Sequence, residues 1–588
     1  MSKYLFLFTI GPVQSFIAQA RKTQDLYAGS QLLSNLIENA ITKLEKKVQN
    51  VEFIFPNKNI QSKPNRFIAE IETDDVEEVG KGLENCVRSE FMKIAEDTLN
   101  SSGLPYEEEF GKSYRKQIEN FLQIYWVVLP LNNDYPEAYS KIERYLGAVK
   151  NVRVFKQLEE TGRKCSLCGE RNVLIYRKTD EEKQEGLQPR KDGLLKKLYV
   201  KSEEVAFFEP QKGSDKLKMQ KGEGLCAVCF TKRFYKKSNF PSTAEIAAMD
   251  WLQNIPDEEK NRYKKLFNNF DKQLYYEENL REEYLNRYDH FKDEKMLDIA
   301  KEQLKELYKQ YGKPKKYYAL LMLDGDHMGG WLSGEFLEEK KDLRGFHEKM
   351  SEKLGKYANY VESCIIEPKI EPKGKLVYAG GDDVLAFINL EYLLYVMSDL
   401  RKAFPKFEEL GFKLKNDHKS SASAGIVIAH YKTPLSEVLK WARMMEKEEA
   451  KKKGGRDAFA IAVLKHSGEI SKTIWKWDLD ENGKSKKIEL LKDLIKELKD
   501  DKEGFSHTFI KNLNIEFMKI DEIENEWVEA ELRRLLERAC QIKGDKERKK
   551  RKLEEWQEKL FSLYIDAAKK ENFLSFLNIA DFLARRIK

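Results

Sequence analysis

Apolar positions recur in this chain at strand spacing and helix spacing in an alternating order. Tyr317 to Leu323 (YYALLML) is a strand-length apolar run that ends in Asp324-Gly325-Asp326, and a helical stretch follows over roughly 341–363. Lys375 to Leu390 (KLVYAGGDDVLAFINL) then sets two apolar runs on either side of Gly380-Gly381-Asp382-Asp383, which predicts a β-hairpin. A helix (Tyr392 to Phe404), a strand (Ala422 to Ala429), a helix (Pro434 to Lys452) and a last strand (Ala458 to Leu464) complete the segment. The order β-α-β-β-α-β with an appended αβ unit predicts a ferredoxin-like palm over residues 313–468.

Residues 1–150 repeat the pattern. Tyr4 to Ile10 reads as a strand, and Ser15 to Asp25 as a helix that breaks at Tyr27-Ala28-Gly29-Ser30 before a second helix runs to about Lys47. Val51 to Phe55 and Arg66 to Ile71 suit a hairpin, Glu77 to Asn100 a helix, and Tyr125 to Leu131 a strand. The linker between the two hairpin strands, PNKNIQSKPN, has no acidic residue, so this palm is expected to be a duplicated and degenerate copy. Residues 151–312 are expected to be a helical insertion, and 469–588 a C-terminal helical domain whose helices include 488–498, 527–542 and 553–568. The fold class expected is therefore α+β: two palms, a zinc-bearing insertion and a helical tail.

The chemistry concentrates at the later hairpin. Two glycines, Gly380 and Gly381, free the backbone and let a ligand come close. Asp382 and Asp383 repel each other without a cation, and hard carboxylate oxygens suit magnesium or manganese. The palm topology brings Asp324, at the end of the first strand, to the same sheet edge. Three such carboxylates can hold two cations about 3.5–4 Å apart for in-line phosphoryl transfer. A solvated acidic turn is the competing reading. Downstream, Lys451-Lys452-Lys453-Gly454-Gly455-Arg456 sets cations on a glycine turn. Lys453 and Arg456 would suit a triphosphate, or equally the negative end of a helix dipole. Cys165-Ser-Leu-Cys168 and Cys226-Ala-Val-Cys229 are two CxxC pairs, the pattern of one tetrahedral structural zinc. The stretch between them, 190–224, is basic and loop-like, and so is the run KERKKRK at 546–552; either would suit an RNA backbone or simply solvent.

Composition narrows the setting. At 588 residues the chain needs several cores, and a net charge of +6 allows local nucleic-acid patches without demanding them. Seven cysteines with no recognisable signal peptide point to a reducing cytoplasm. No run reaches the ~20 apolar residues of a membrane span.

Gly11 to Ser30 (GPVQSFIAQARKTQDLYAGS), LDGDHMGGWL, YAGGDDVLAF and SAGIVIAHYKTPL, in that order, resemble the large subunit of type III CRISPR RNA-guided effector complexes of the Cmr type. The resemblance implies two cyclase-like palms, zinc between them, and partnership with other subunits, guide RNA and target RNA. It further implies polymerisation of ATP into cyclic oligoadenylate. Many members of that family open with an HD nuclease domain. This sequence opens on the palm and has no His-Asp dipeptide, so no nuclease role is carried over. The leading expectation is a metal-dependent nucleotidyltransferase with Asp324, Asp382 and Asp383 as ligands and one ATP held near Ser30, which would be either a helix N-cap or an anion site. The alternatives are a non-catalytic RNA-binding scaffold that binds nucleotide without turnover, and a cyclase that acts alone.

Overall fold

The computed structural model describes residues 2–586 apart from 133, 153–159, 185–203, 211–217, 236–239, 288–289, 291–294, 367–371 and 519–523. Ser2–Gly11 (β1), Val51–Phe55 (β2), Arg66–Thr73 (β3) and Gln123–Pro130 (β4) form an antiparallel sheet in the order β2-β3-β1-β4. β1 lies in the interior of the sheet and its side chains alternate between two cores. Phe6 and Phe8 join the core under helices Thr23–Lys47 and Val76–Ser101. Leu5 and Leu7 join a core completed by Trp331, Phe346 and Met350 from the later palm. The seam between the palms is thus a hydrophobic core in its own right.

The helix break expected at Gly29–Ser30 does not occur. Thr23–Lys47 is one helix, with Ser30 buried well inside it. Gly29 serves close packing there: a Cβ would sit 3.2 Å from Lys232 Cδ and 3.4 Å from Ile17 Cα. Ser30 is therefore not an N-cap, and no helix N-terminus opens beside it.

The stretch after the first palm carries three short strands, Ile175–Tyr176 (β5), Ala206–Phe207 (β6) and Gly224–Leu225 (β7), in the order β6-β5-β7. The basic stretch 190–224 lies largely outside the described residues. Helix Ala227–Phe234 docks on the first palm. Gln117 accepts from the Ala227 N–H at 2.9 Å, and the buried Lys232 ammonium donates to the carbonyls of Phe16 (2.7 Å) and Gln19 (2.6 Å). Arg233, 1% exposed, pairs with Asp25 (0%) and with Glu223 (4%) at 3.3 Å. Among the described aromatics of 243–311, Trp251, Tyr263, Tyr275 and Tyr276 are core residues, all buried.

The later sheet has six strands: Tyr317–Gly325 (β8), Gly374–Ala379 (β9), Val384–Asn389 (β10), Ala422–His430 (β11), Ala458–Leu464 (β12) and Ile470–Lys476 (β13), in the order β13-β12-β11-β8-β10-β9. Its β11-β8-β10-β9 portion repeats the ordering of the first sheet. β12 is parallel to β11 and closes the appended unit. β13 corrects the expectation that everything from 470 onward is helical: it pairs antiparallel with β12 and buries Ser471, Thr473 and Trp475. Among the described residues five helices follow, Lys486–Lys499, Thr508–Met518, Asn525–Ala539, Lys546–Asp566 and Lys570–Ala584. They share one core with the outer face of the later sheet. The run 546–552 opens the fourth of these, and intramolecular ion pairs absorb part of its charge: Arg548 with Glu503, and Lys552 with Glu497.

Candidate active site between the two palms

The hairpin between β9 and β10 turns on Gly380 to Asp383. The Gly380 N–H donates to the Asp383 carbonyl at 3.0 Å, and Gly381 takes φ = +121°, a region that favours glycine. The Gly325 N–H donates to the Asp382 carbonyl at 3.2 Å, which ties the end of β8 to the turn. Gly325 is required there, since a Cβ would meet Met328 Sδ at 2.8 Å and Asp382 Cβ at 3.1 Å. Asp324 is thereby carried to the hairpin, and all three aspartates are half-buried.

They face a cavity of about 440 Å³ that both palms line. The later palm contributes Asp324, Gly380 to Asp383, and an apolar wall that includes Met328, Leu332 and Leu354. The first palm contributes the hairpin loop between β2 and β3, from Phe55 to Arg66. The loop is seated tightly: a Cβ on Gly355 would lie 2.8 Å from Asn57 Cβ, and Ile60 is buried in the later palm's core. Burial and the neighbouring carboxylates push both Asp382 and Asp383 above the usual carboxylate range. That is the signature of an anionic cluster short of positive charge.

Lys451 pairs directly with this cluster, and Arg66 also lowers the Asp382 pKa. Helix Leu435–Met444 continues as a π-helix over Met445–Lys453, and the wider turns aim the Lys451 ammonium at the Asp324 carboxylate and, at 2.9 Å, at Glu446. Burial lowers the affinity of Lys451 for its proton, but Asp324 and Glu446 outweigh this and the net shift is upward. Among the described residues, only the four cysteines bring three or more ligand atoms within 4.8 Å of one another. The aspartates share a cavity without closing to that distance, Asp324 being drawn to Lys451. The chemistry of this donor set, three carboxylates with Asp382 and Asp383 under mutual repulsion, fits hard divalent cations.

Other predicted residues fall elsewhere. Lys453 pairs with Glu449 at 3.0 Å and is largely exposed. Arg456, at φ = +61°, offers its carbonyl to Lys476 at 2.6 Å. Neither lines the cavity, and nor does Ser30. Asp326, adjacent to the proposed ligands in sequence, is a structural tie: the Ser421 and Ser423 hydroxyls and the Asp457 N–H donate to it at 2.8–3.0 Å. Sequence reasoning missed Lys451, Arg66 and Asn57. Lys451 stood in the same basic run as Lys453, but helical spacing does not anticipate the π-turn. Arg66 and Asn57 lie in or beside a linker whose one sequence signal is its lack of acidic residues. Arg66 also lines the cavity, where Glu143 holds it at 3.1 and 3.3 Å.

The cysteines gather as a second centre. Cys165, Cys226 and Cys229 are buried and Cys168 is half-buried, with Cys168 and Cys226 sulfurs 3.9 Å apart. The Leu167 and Cys229 N–H groups donate to the Cys165 and Cys226 sulfurs at 3.4 Å. Four clustered sulfurs, two of them accepting from backbone N–H groups, fit a structural Zn²⁺.

Two family profiles match the chain: Cas10/Cmr2, second palm domain, over residues 317–460, and CRISPR-associated protein Cmr2, N-terminal, over 5–96. Over these two segments the chain is similar to Cas10/Cmr2 proteins. Among Cas10/Cmr2 relatives, CRISPR system Cmr subunit Cmr2 of Pyrococcus furiosus is 27% identical over 591 residues, an alignment covering 86% of this chain and 66% of that protein. The chain therefore spans about two-thirds of that relative's length. A cryo-EM structure of Type III-B Cmr-beta bound to cognate target RNA matches with a TM-score of 0.60 at 14% identity, over 93% of this chain and 79% of that one. The apo state of Cmr-beta matches with a TM-score of 0.59, also at 14% identity, over 93% and 78%. These likenesses establish a shared fold. No helix among the described residues is long and apolar enough to cross a membrane.

Proposed function

We propose that this chain is the large subunit of an RNA-guided type III effector complex, assembled with its other subunits, guide RNA and target RNA in the cytoplasm. Its activity is conversion of ATP to cyclic oligoadenylate when target RNA is bound. The observation that carries the reading is that Asp324, Asp382 and Asp383 face one cavity closed by the other palm. A ribose 3′-hydroxyl forms a bond to the α-phosphorus of ATP as the bond to pyrophosphate breaks. Bound Mg²⁺ or Mn²⁺ would supply Lewis-acid activation of the hydroxyl and charge neutralisation on the leaving group. The three aspartates hold that charge in place. Gly380 and Gly381 let the nucleotide approach the turn. Lys451, beside Asp324, offers a cation to the triphosphate. The first palm excludes water and supplies the facing wall. Four cysteines, Cys165, Cys168, Cys226 and Cys229, bind one Zn²⁺ away from the chemistry.

A scaffold that binds nucleotide without turnover is the second reading, and the ion pair between Asp324 and Lys451 favours it, because that pair occupies a carboxylate the reaction needs. Asp382→Ala with Asp383→Ala in the assembled complex separates the two. With labelled ATP, Mg²⁺ and target RNA, the wild-type complex forms oligoadenylate. The double variant forms none, yet assembles normally because removing two repelling carboxylates opens no core cavity. Equal product from both complexes refutes the catalytic assignment.

A further inference from the structure

Helix Leu343–Ile366 of the later palm runs against β2. Arg344, His347 and Gly355 fall on one side of it, by helical spacing, and each meets a different element of the first palm. The Arg344 guanidinium is a clamp. Its Nε donates to Glu70 of β3 at 2.5 Å and its Nη2 pairs with Glu52 of β2 at 2.8 Å, while Nη1 takes Glu348 of its own helix. Glu70 is 5% exposed and also holds Lys3 at 2.6 Å. His347 is fully buried in the middle of the seam. Its Nε2 lies 2.9 Å from the Leu332 carbonyl, which can only accept, so Nε2 carries the hydrogen. Burial lowers the His347 pKa to about 4, and the neutral ring accepts from the Tyr135 hydroxyl at Nδ1, 2.8 Å away. Gly355 leaves room for Asn57 of the hairpin loop, whose Cβ is 2.8 Å from where a Gly355 Cβ would be.

The two ends of this contact differ. β3 runs from Arg66, beside the aspartate cavity, to Glu70 at the ion cluster, a distance of about 13 Å at strand rise. Arg344 and Gly355 are about 16 Å apart on their helix. The helix therefore spans the sheet from the cluster to the loop. At the cluster end the palms part into a cavity of about 1010 Å³ that Lys3, Glu52, Glu70 and Arg344 line. In the middle lies the apolar core of Leu5, Leu7, Ile54 and Ile68 against Phe346, Met350 and Leu354. Apolar burial is non-directional, so this core holds the helix on the sheet without fixing where along the sheet it sits. A guanidinium fork paired with two carboxylates on neighbouring strands does fix that, because its donors have a rigid geometry. We propose that Arg344 is a positioning residue for the aspartate cavity: by clamping Glu52 and Glu70 it sets the register of its helix on the first palm, and through Gly355 it seats the Phe55–Arg66 loop that closes the cavity. Ile60 of that loop is buried in the later palm's core, so the loop follows the helix when the register changes.

Amide hydrogen exchange on the full chain reads the loop without any nucleotide, so its outcome is independent of the reaction assigned above. The reporters are the Asn59 and Ile60 N–H groups, which donate to Asn57 Oδ1 at 2.9 Å and to the Asn57 carbonyl at 3.3 Å. In Arg344→Met their exchange should accelerate by about tenfold, although no residue of the loop has changed. Amides of β8 and β11 should exchange as in wild type. Arg344→Lys keeps a cation beside Glu70 and should bring the loop back to within about threefold of wild type. Should Arg344→Met fail to fold, Glu52→Gln removes only the arm whose partner is 59% exposed, and the loop should then accelerate by about threefold. Loop exchange that matches wild type in Arg344→Met, or in Glu52→Gln where that variant stands in, overturns the proposal. So does acceleration spread evenly over the loop, β8 and β11, which would make Arg344 a source of general stability, and so does an Arg344→Lys loop as fast as that of Arg344→Met.

Discussion

Replacing Arg233 with Met tests how the helix that carries Cys229 is held to the first palm. The Arg233 side chain is 1% exposed and its partners Asp25 and Glu223 are 0% and 4% exposed. Arg233 also donates to the Lys218 carbonyl at 2.7 Å. Methionine fills much of the same volume but leaves two carboxylates buried without their shared cation. Breaking one side of such a pair costs about 3–5 kcal/mol. The helix–palm seam is a local unit, so the loss is read as more frequent local opening rather than as a single melting point. Amide hydrogen exchange in 23–47 and 227–234 should accelerate by about two to three orders of magnitude, at tenfold per ~1.4 kcal/mol. The pH dependence should also change sign. In the wild type, burial pushes Asp25 up but Arg233 outweighs it and holds the carboxyl below its ordinary value. A depressed folded pKa contributes stability that is present above the unfolded value, about 3.9, and lost as pH falls through the folded one. Without Arg233, burial, the largest influence on Asp25, is opposed only by Lys232 and the Lys22 N–H, and the folded pKa is expected to rise above the unfolded value. The seam in Arg233→Met should then be firmer at pH 5 than at pH 8. Exchange rates that match wild type, or a variant seam that loosens on acidification, would refute this account of the pair.

Three further outcomes are expected. Lys451→Met should bind Mn²⁺ several-fold more tightly, as read by titration calorimetry, because no ammonium competes for Asp324; its ATP turnover should fall, because the triphosphate loses a cation. Protein purified without chelator should contain one zinc per chain by elemental analysis, and chelation should loosen 165–171 and 226–234 in hydrogen exchange before either palm sheet, since structural zinc contributes about 10–16 kcal/mol in small peptides. Gly355→Ala should drive a methyl into Asn57 and unseat the first palm's hairpin loop, so nucleotide affinity drops while the six-stranded sheet keeps its exchange protection.

What was legible in the sequence is what a short stretch determines. The Gly380–Asp383 hairpin, the run of β8 into Asp324 and the two CxxC knuckles each declare themselves within a few residues. Less legible was anything decided by a distant neighbour. Gly29 read as a helix breaker because glycine is costly in an isolated helix, but Ile17 and Lys232 close in on it and need the space. β13 alternates cleanly, yet its buried face carries Ser471 and Thr473, which look like surface until Asn572 supplies a partner for Thr473 at 2.9 Å. Lys451 was one of three adjacent lysines, and only the π-turn selects it.

One strand of the later palm has an unusual situation. Along β8, Tyr318 and Leu320 sink into the core that also contains the first palm and the cysteine-bearing helix, while Tyr317, Ala319, Leu321 and Leu323 sink into the core built with the C-terminal helices. Asp324 terminates that strand. Dense packing is nearly incompressible, so both cores constrain where that strand can lie. The carboxylate at its end is therefore positioned jointly by the tail helices, through one core, and by the cysteine-bearing helix and the first palm, through the other.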